Sequence, residues 1–130
     1  MLTLARVPLR YNPPTMSTQN IQIVSSSGTS DGYKILRVKG PLNIHTIFDF
    51  QSALRAETSP ALIIDFSEVP FIDSTGLGAL VGVHVTAQKA NRKLAFAAMN
   101  SQVKALLEMT HVSQFFNTYP TIHDAEAAVS

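Results

Sequence analysis

Six consecutive residues, Ala61-Leu62-Ile63-Ile64-Asp65-Phe66, constrain this 130-residue chain more than any other segment. The run is short, apolar at odd and even positions alike, and preceded by Ser59-Pro60. That pattern describes a β-strand covered on both faces. Such a strand needs helices to cover it, and its neighbours have helical spacing. Asn43 is placed as a helix N-cap, followed by Ile44, Ile47, Phe48 and Leu54 on one stripe. After the strand, a helix is expected from about Gly76 to Ala90 or Asn91. Leu77, Val81 and Val85 lie at i, i+4 and i+8 there, with Leu80 and His84 beside them.

The remaining segments extend the alternation. Ile21, Ile23 and Val24 suggest a first strand, and Ser25 to Gly32 a turn-rich connection. Tyr33 to Lys39 is a second strand, with Leu36 and Val38 on one face and Tyr33, Arg37 and Lys39 on the other. Leu94 to Ala98 is a further strand. Ser101 or Asn100 caps a helix that turns Val103, Leu106 and Leu107 inward. Phe115 to Tyr119 is expected as the last strand. Thr121-Ile122-His123-Asp124 has the form of a capping box before a short terminal helix. The order β-β-α-β-α-β-α-β-α predicts one α/β domain over residues 20–130. Its sheet is mixed and mostly parallel, with four to five strands and about four helices packed mainly on one face. Residues 1–19 are read as a flexible leader broken by Pro8, Pro13 and Pro14, with Met16 as a candidate natural start.

Composition narrows the function classes. Hydrophobic residues are 45%, charged residues 15%, and the formal net charge is +1, which argues against a disordered chain and against nonspecific nucleic-acid binding. With no Cys, a disulfide framework, a thiolate zinc site and a cysteine nucleophile are excluded. His45, His84, His111 and His123 are scattered without metal-ligand spacing. The most apolar window, Gly76 to Ala87, is too short to span a membrane. No metal or cofactor is expected, and the location read from these features is cytoplasmic.

Asp73-Ser74-Thr75-Gly76 is the most informative stretch for chemistry. It places two hydroxyls at a loop-to-helix junction, where outward amides and the helix dipole favour negative charge. A phosphate on Ser74 would add about −1.5 to −2 charges to any docking surface there. The plainer alternative is that Asp73 or Ser74 is only an N-cap. Further along the helix, Gly78, Gly82 and Thr86 form a small-residue stripe that faces either a partner or the domain's own sheet. Ser74, His84 and Asp65 do not make a hydrolase pattern, because no GxSxG elbow is present. The Lys-Ser/Thr of a nucleotide-binding loop is absent, and so is the acidic pair of a phospho-Asp receiver near the first strand. Asp65 is therefore read as a strand-end turn or cap residue. The seven Phe residues are mostly core, but Phe115 and Phe116 are adjacent, so one of them is expected at the surface.

Four segments carry a family resemblance: Val38-Lys39-Gly40-Pro41-Leu42-Asn43, Leu62-Ile63-Ile64-Asp65-Phe66, Phe71-Ile72-Asp73-Ser74-Thr75-Gly76-Leu77-Gly78 and Val103-Lys104-Ala105-Leu106-Leu107. From about residue 20 to 130 the chain resembles a STAS domain, in particular an anti-sigma factor antagonist (anti-anti-sigma factor). The resemblance implies a binding protein rather than an enzyme, and partner switching in the regulation of transcription. The unphosphorylated antagonist binds an anti-sigma factor that is also a serine kinase. Phosphorylation releases it, and a serine phosphatase resets it. On this chain the implied phosphoacceptor is Ser74, with Thr75 as a secondary acceptor and Asp73 bordering the site. The expected partner-binding set is Asn43, Asp73, Ser74, Thr75, Gly76, Gly78 and Gly82. Family members often have Gly-Glu-Leu-Asp where this chain has Gly40-Pro41-Leu42-Asn43, so a carboxylate near the phosphoacceptor is replaced by an amide. The alternative reading is a scaffold or transport-accessory STAS module without a phospho-cycle.

Overall fold

Ala61–Glu68 forms strand β3, the central strand of a five-stranded sheet in the computed structural model, which describes residues 21–28 and 32–129. The strands run in the order β1-β2-β3-β4-β5, with β1 at Gln22–Ser27, β2 at Tyr33–Lys39, β4 at Lys93–Ala97 and β5 at Thr118–Tyr119. β1 and β2 pair antiparallel, and every other neighbouring pair is parallel. The helices are α1 Ile47–Ala56, α2 Ser74–Lys89, α3 Ser101–Met109 and α4 Ile122–Val129. The α/β class and the mixed, mostly parallel sheet agree with the sequence reading. The leader assigned to residues 1–19 lies outside the described residues.

Both faces of β3 are buried, as its unbroken apolar run requires. Leu62, Ile64 and Phe66 join the larger core beneath α1, α2 and α3, where Phe50, Leu54, Leu80, Val103 and Leu107 meet them. Phe66, Phe96 and Phe116 form a chain of edge-to-face rings at 5.7 and 5.4 Å, and His84 packs edge-on against Phe116 at 5.4 Å. Tyr33, Ala61, Ile63, Ala95 and Ala97 face the other way and are covered by Ala125 and Val129 of α4. Small residues on the sheet there let α4 lie close. The Tyr33 hydroxyl fastens it by donating to Glu126 Oε2 at 2.6 Å. Asp65 is fully buried on that face, its Oδ2 accepting from Arg37 Nε at 3.0 Å and its Oδ1 from the Ser67 amide at 2.8 Å. It is not the strand-end turn or cap residue expected: it lies within β3, paired with Arg37 and Ala97, and the strand continues to Glu68. Its oxygens tie β3 to β2 through Arg37 and accept from the strand's own Ser67 amide.

Several sequence expectations are corrected. β1 continues through Ser25, Ser26 and Ser27, because pairing with β2 out to Ser27–Lys34 overrides their turn preference. The last strand is only Thr118–Tyr119, preceded by a 3-10 turn at Ser113–Phe115. That turn exposes Phe115 and buries Phe116. The helical faces also differ from the apolar stripes. α1 buries Phe50 and Leu54, whereas Ile44 and Phe48 are 68% and 69% exposed. α2 buries Gly76, Ala79, Leu80 and Ala87, and leaves Val81 and Val85 at the surface.

α2 and α3 end alike. Asn91 and His111 adopt φ of 59° and 61°, and the following amides, of Arg92 and Val112, reach back to Ala87 O and Leu107 O. Ala98 is a costlier case. It takes φ 62° just after β4, while its amide donates to Tyr119 O at 2.9 Å. An L-residue is disfavoured there because Cβ crowds its own carbonyl.

Two measurements check this account. Tyr33→Phe should cost about 1.5–3 kcal/mol, the range for a hydrogen bond to a charged group, and hydrogen exchange should open α4 before the sheet. Ala98→Gly should raise the thermal midpoint, stabilising the fold by about 0.5–1 kcal/mol. A lowered midpoint would mean that Ala98 is unstrained.

Candidate functional site

The loops after β2 and β3 meet at the carboxyl end of the sheet. Gly40 leaves β2 with φ 118° and donates its amide to Glu68 O at 2.9 Å. Leu42 then pairs with Ile72 in a single parallel bridge. Its amide donates to Phe71 O at 3.2 Å, and its carbonyl accepts from the Asp73 amide at 3.1 Å. Gly76 comes so close to this point that a Cβ would stand 2.5 Å from Leu42 O. Only a residue without a side chain lets the first turn of α2 sit there.

This clasp brings Asn43, Asp73, Ser74, Thr75 and Gly76 together, since Asn43 follows the carbonyl that Asp73 binds. Asp73 is the N-cap of α2, its Oδ1 accepting from the Gly76 amide at 2.9 Å. Ser74 is the first helical residue and is exposed; Thr75 is half-buried. The question of which residue caps the helix is thus resolved in favour of Asp73, and the Ser74 hydroxyl faces solvent beside the positive end of a 16-residue helix.

Asn43 does not cap α1, which begins four residues later at Ile47. It heads the preceding turn instead. Its Oδ1 accepts from the His45 amide at 2.9 Å, and its carbonyl accepts from the Ile47 amide at 2.9 Å. The turn is pinned by Thr46, a buried residue whose hydroxyl donates to Pro41 O at 2.7 Å and accepts from the Asn43 amide at 3.0 Å. On the other side, Asn100 serves two elements. Its Oδ1 caps α3 by accepting from the Val103 amide at 2.9 Å, while its Nδ2 donates to Val69 O and Pro70 O at 3.2 and 3.0 Å. Asn100 is the cap that the sequence offered beside Ser101, but its reach to Val69 and Pro70, and Thr46 altogether, are positioning features that sequence reasoning missed. A Thr three residues after an Asn and a capping Asn are both visible in the sequence, but their long-range partners are not.

Exposed apolar side chains follow each arm of the clasp. Ile44, Phe48 and Phe71, the last 46% exposed, lie on the two segments joined at Leu42. Gly78 and Gly82 lie apart from this cluster, further along α2 on a groove shared with α1. Both are exposed, and no atom comes within 4 Å of where their Cβ would be, so the stripe does not pack on the sheet. Among the described residues, no group of three His, Asp or Glu side chains is placed to hold a metal ion, and no helix is long and apolar enough to cross a membrane.

Comparisons with known proteins agree with this fold. The STAS domain family model matches residues 21–125. The anti-sigma-F factor antagonist RsfB of Mycobacterium tuberculosis (strain CDC 1551 / Oshkosh) is 27% identical over 104 residues, 76% of this chain and 83% of that protein. The crystal structure of an anti-sigma factor antagonist from Mycobacterium paratuberculosis superposes with a TM-score of 0.76 at 27% identity, covering 85% of this chain and 95% of that one. The murine Solute Carrier 26 family member A9 anion transporter shares the fold at 23% identity and a TM-score of 0.69, over 88% of this chain but 23% of the transporter.

The pinning of the site is open to direct measurement. Thr46→Val keeps the shape but removes both hydroxyl bonds and leaves Pro41 O and the Asn43 amide unmatched. It should cost about 1–3 kcal/mol in denaturant unfolding. Hydrogen exchange should quicken at Leu42 and Asp73; wild-type protection there would separate Thr46 from the clasp.

Proposed function

The chain belongs to the STAS domain family, and from that premise we propose that it is an anti-sigma factor antagonist switched by phosphorylation of Ser74. The observation that carries the reading is the exposed Ser74 hydroxyl at the start of α2, with the capping duty taken by Asp73. The names of relatives such as RsfB support the same class.

In the unmodified state, Ile44, Phe48 and Phe71 offer apolar surface to an anti-sigma factor beside a hydroxyl that carries no charge. Burial of that surface holds the complex, and the sigma factor goes free. The bound anti-sigma factor is also the kinase. It transfers the γ-phosphoryl group of ATP to Ser74 Oγ; the bond to ADP breaks, and the hydroxyl proton passes to a base of the kinase. The chain's own net charge then moves from +1 to about −1, with the whole change at the docking surface. The helix dipole tolerates the phosphate within this chain. The partner meets new charge and bulk and is released, and a serine phosphatase restores the first state. Asn43, Asp73, Thr75 and Gly76 shape the surface. Gly78 and Gly82 extend it along α2. Asn43 in place of a carboxylate leaves one fewer negative charge to repel the incoming phosphoryl group. In this cycle the chain is a substrate and a ligand, and the catalytic groups belong to its partners.

The test uses purified candidate serine kinases of the anti-sigma factor class. Incubation with ATP should place phosphate on Ser74 by mass spectrometry, and Ser74→Ala should abolish labelling while retaining binding. Ser74→Asp should weaken kinase binding by at least about tenfold, a difference of about 1.4 kcal/mol. Phosphate on a distant residue only, with Ser74→Asp binding as wild type, would overturn the switch and favour a scaffold or transport-accessory role.

A further inference from the structure

We propose that the groove between α1 and α2 binds a free long-chain carboxylate, a fatty acid of roughly a dozen carbons. The groove has a volume of about 880 Å³, is open to solvent along one side, and is lined from Thr75 to Arg92 and Lys93 at the opposite end of the sheet. From Thr75 to Thr86, α2 advances about 16 Å at 1.5 Å per residue, the extended length of such a chain. Leu54, Leu62, Ala79 and Leu94 line it, so much of what a ligand meets is hydrocarbon.

Its width depends on Gly78 and Gly82. Glycine is unfavourable inside a helix, and alanine would meet nothing within 4 Å at either position. The domain's own packing therefore does not require these glycines. An occupant lying along α2 accounts for them, because any side chain there would narrow the channel.

The lower end of the groove specifies the head group. Arg55, Arg92 and Lys93 line it against a single carboxylate, Glu57. That carboxylate is already engaged: Ser59 donates its hydroxyl to Glu57 Oε1 at 2.7 Å, and this bond holds the carboxyl below its ordinary range. Arg92 donates through Nε to Ser59 O at 2.8 Å, but its Nη2 is buried with no hydrogen-bond partner among the described residues. A buried guanidinium nitrogen requires an acceptor, and a carboxylate oxygen supplies one. A cationic end and an apolar floor, with Gln51, Thr58, Thr75 and Thr86 along the rim, describe a single-chain amphiphile, whereas a free phosphate would leave the floor uncovered.

The inference goes beyond the reading of Ser74 but shares Thr75, Gly78 and Gly82 with the docking surface; because ligand binding is measured without a kinase, the two readings fail separately. The test is calorimetric titration of the full, delipidated chain with sodium octanoate, decanoate and dodecanoate below micelle formation, with native mass spectrometry for stoichiometry. One molecule should bind, with affinity rising about fourfold per added methylene, as burial of each group predicts. Gly82→Leu should keep or raise the thermal midpoint and weaken dodecanoate by at least about tenfold by filling the channel. Arg92→Met should weaken dodecanoate and leave 1-dodecanol unchanged. If Arg92→Met unfolds through loss of its bond to Ser59, Arg55→Gln on the exposed face of α1 carries the same charge test. The proposal is overturned by no binding, by full binding to Gly82→Leu, by dodecanol binding as tightly as dodecanoate, or by inorganic phosphate displacing the ligand.

Discussion

The Leu42 carbonyl is the point on which the candidate site depends. It accepts the Asp73 amide, and the Leu42 amide donates back to Phe71 O. Two loops from different strands are thereby locked in register, and α2 starts against the backbone of the other loop. The lock requires Gly76, since any Cβ would strike Leu42 O. It also requires the turn to hold its shape, which Thr46 secures from below through Pro41 and Asn43. Asn100 secures the other loop through Val69 and Pro70. Ser74 thus sits on a rigid frame although it is exposed. That combination suits a surface read by a partner, where one added group changes the contact without disturbing the fold.

The sheet supplies the frame at the larger scale. β3 is buried on both faces from Ala61 to Phe66, held by three helices on one side and α4 on the other. Asp65 is a charge in the apolar centre, and it is satisfied by Arg37 and the Ser67 amide. Left unpaired, it would be costly. Ala98 holds a left-handed conformation immediately before the segment that places Asn100. Strain and bracing lie close together in the chain there, consistent with a fold that fixes this end of the sheet at some cost in local stability.

Much of this was legible from particular residues. The unbroken run Ala61–Phe66 gave the central strand, the alternating helical patterns gave the α/β class, and Asp73-Ser74-Thr75-Gly76 marked the start of a long helix. The helical faces were not legible. In α2 nearly every residue is small or apolar, so hydropathy offers no contrast between sides. The buried side is chosen by size instead: Gly76 and Ala79 allow close approach, and Val81 and Val85 are turned out. Ahead of and within α1, Ile44 and Phe48 satisfy a core stripe yet face solvent, because the turn pinned by Thr46 delays the helix to Ile47. Periodicity treats apolar residues as buried ones, and at an interaction surface that equation fails.

The sequence by itself determined the element order, the buried strand and the hydroxyl at a helix start, because each follows from local periodicity and capping chemistry. Only the tertiary structure decided that Leu42 joins two loops 30 residues apart in sequence, from Leu42 to Ile72. It also decided that Thr46 and Asn100 hold them, and that Gly78 and Gly82 open onto a groove lined at one end by Arg92. These are matters of which backbone groups meet across the sheet's end. A linear pattern carries the donors and acceptors but not their pairing, since the pairing is set by where the packed sheet places each loop.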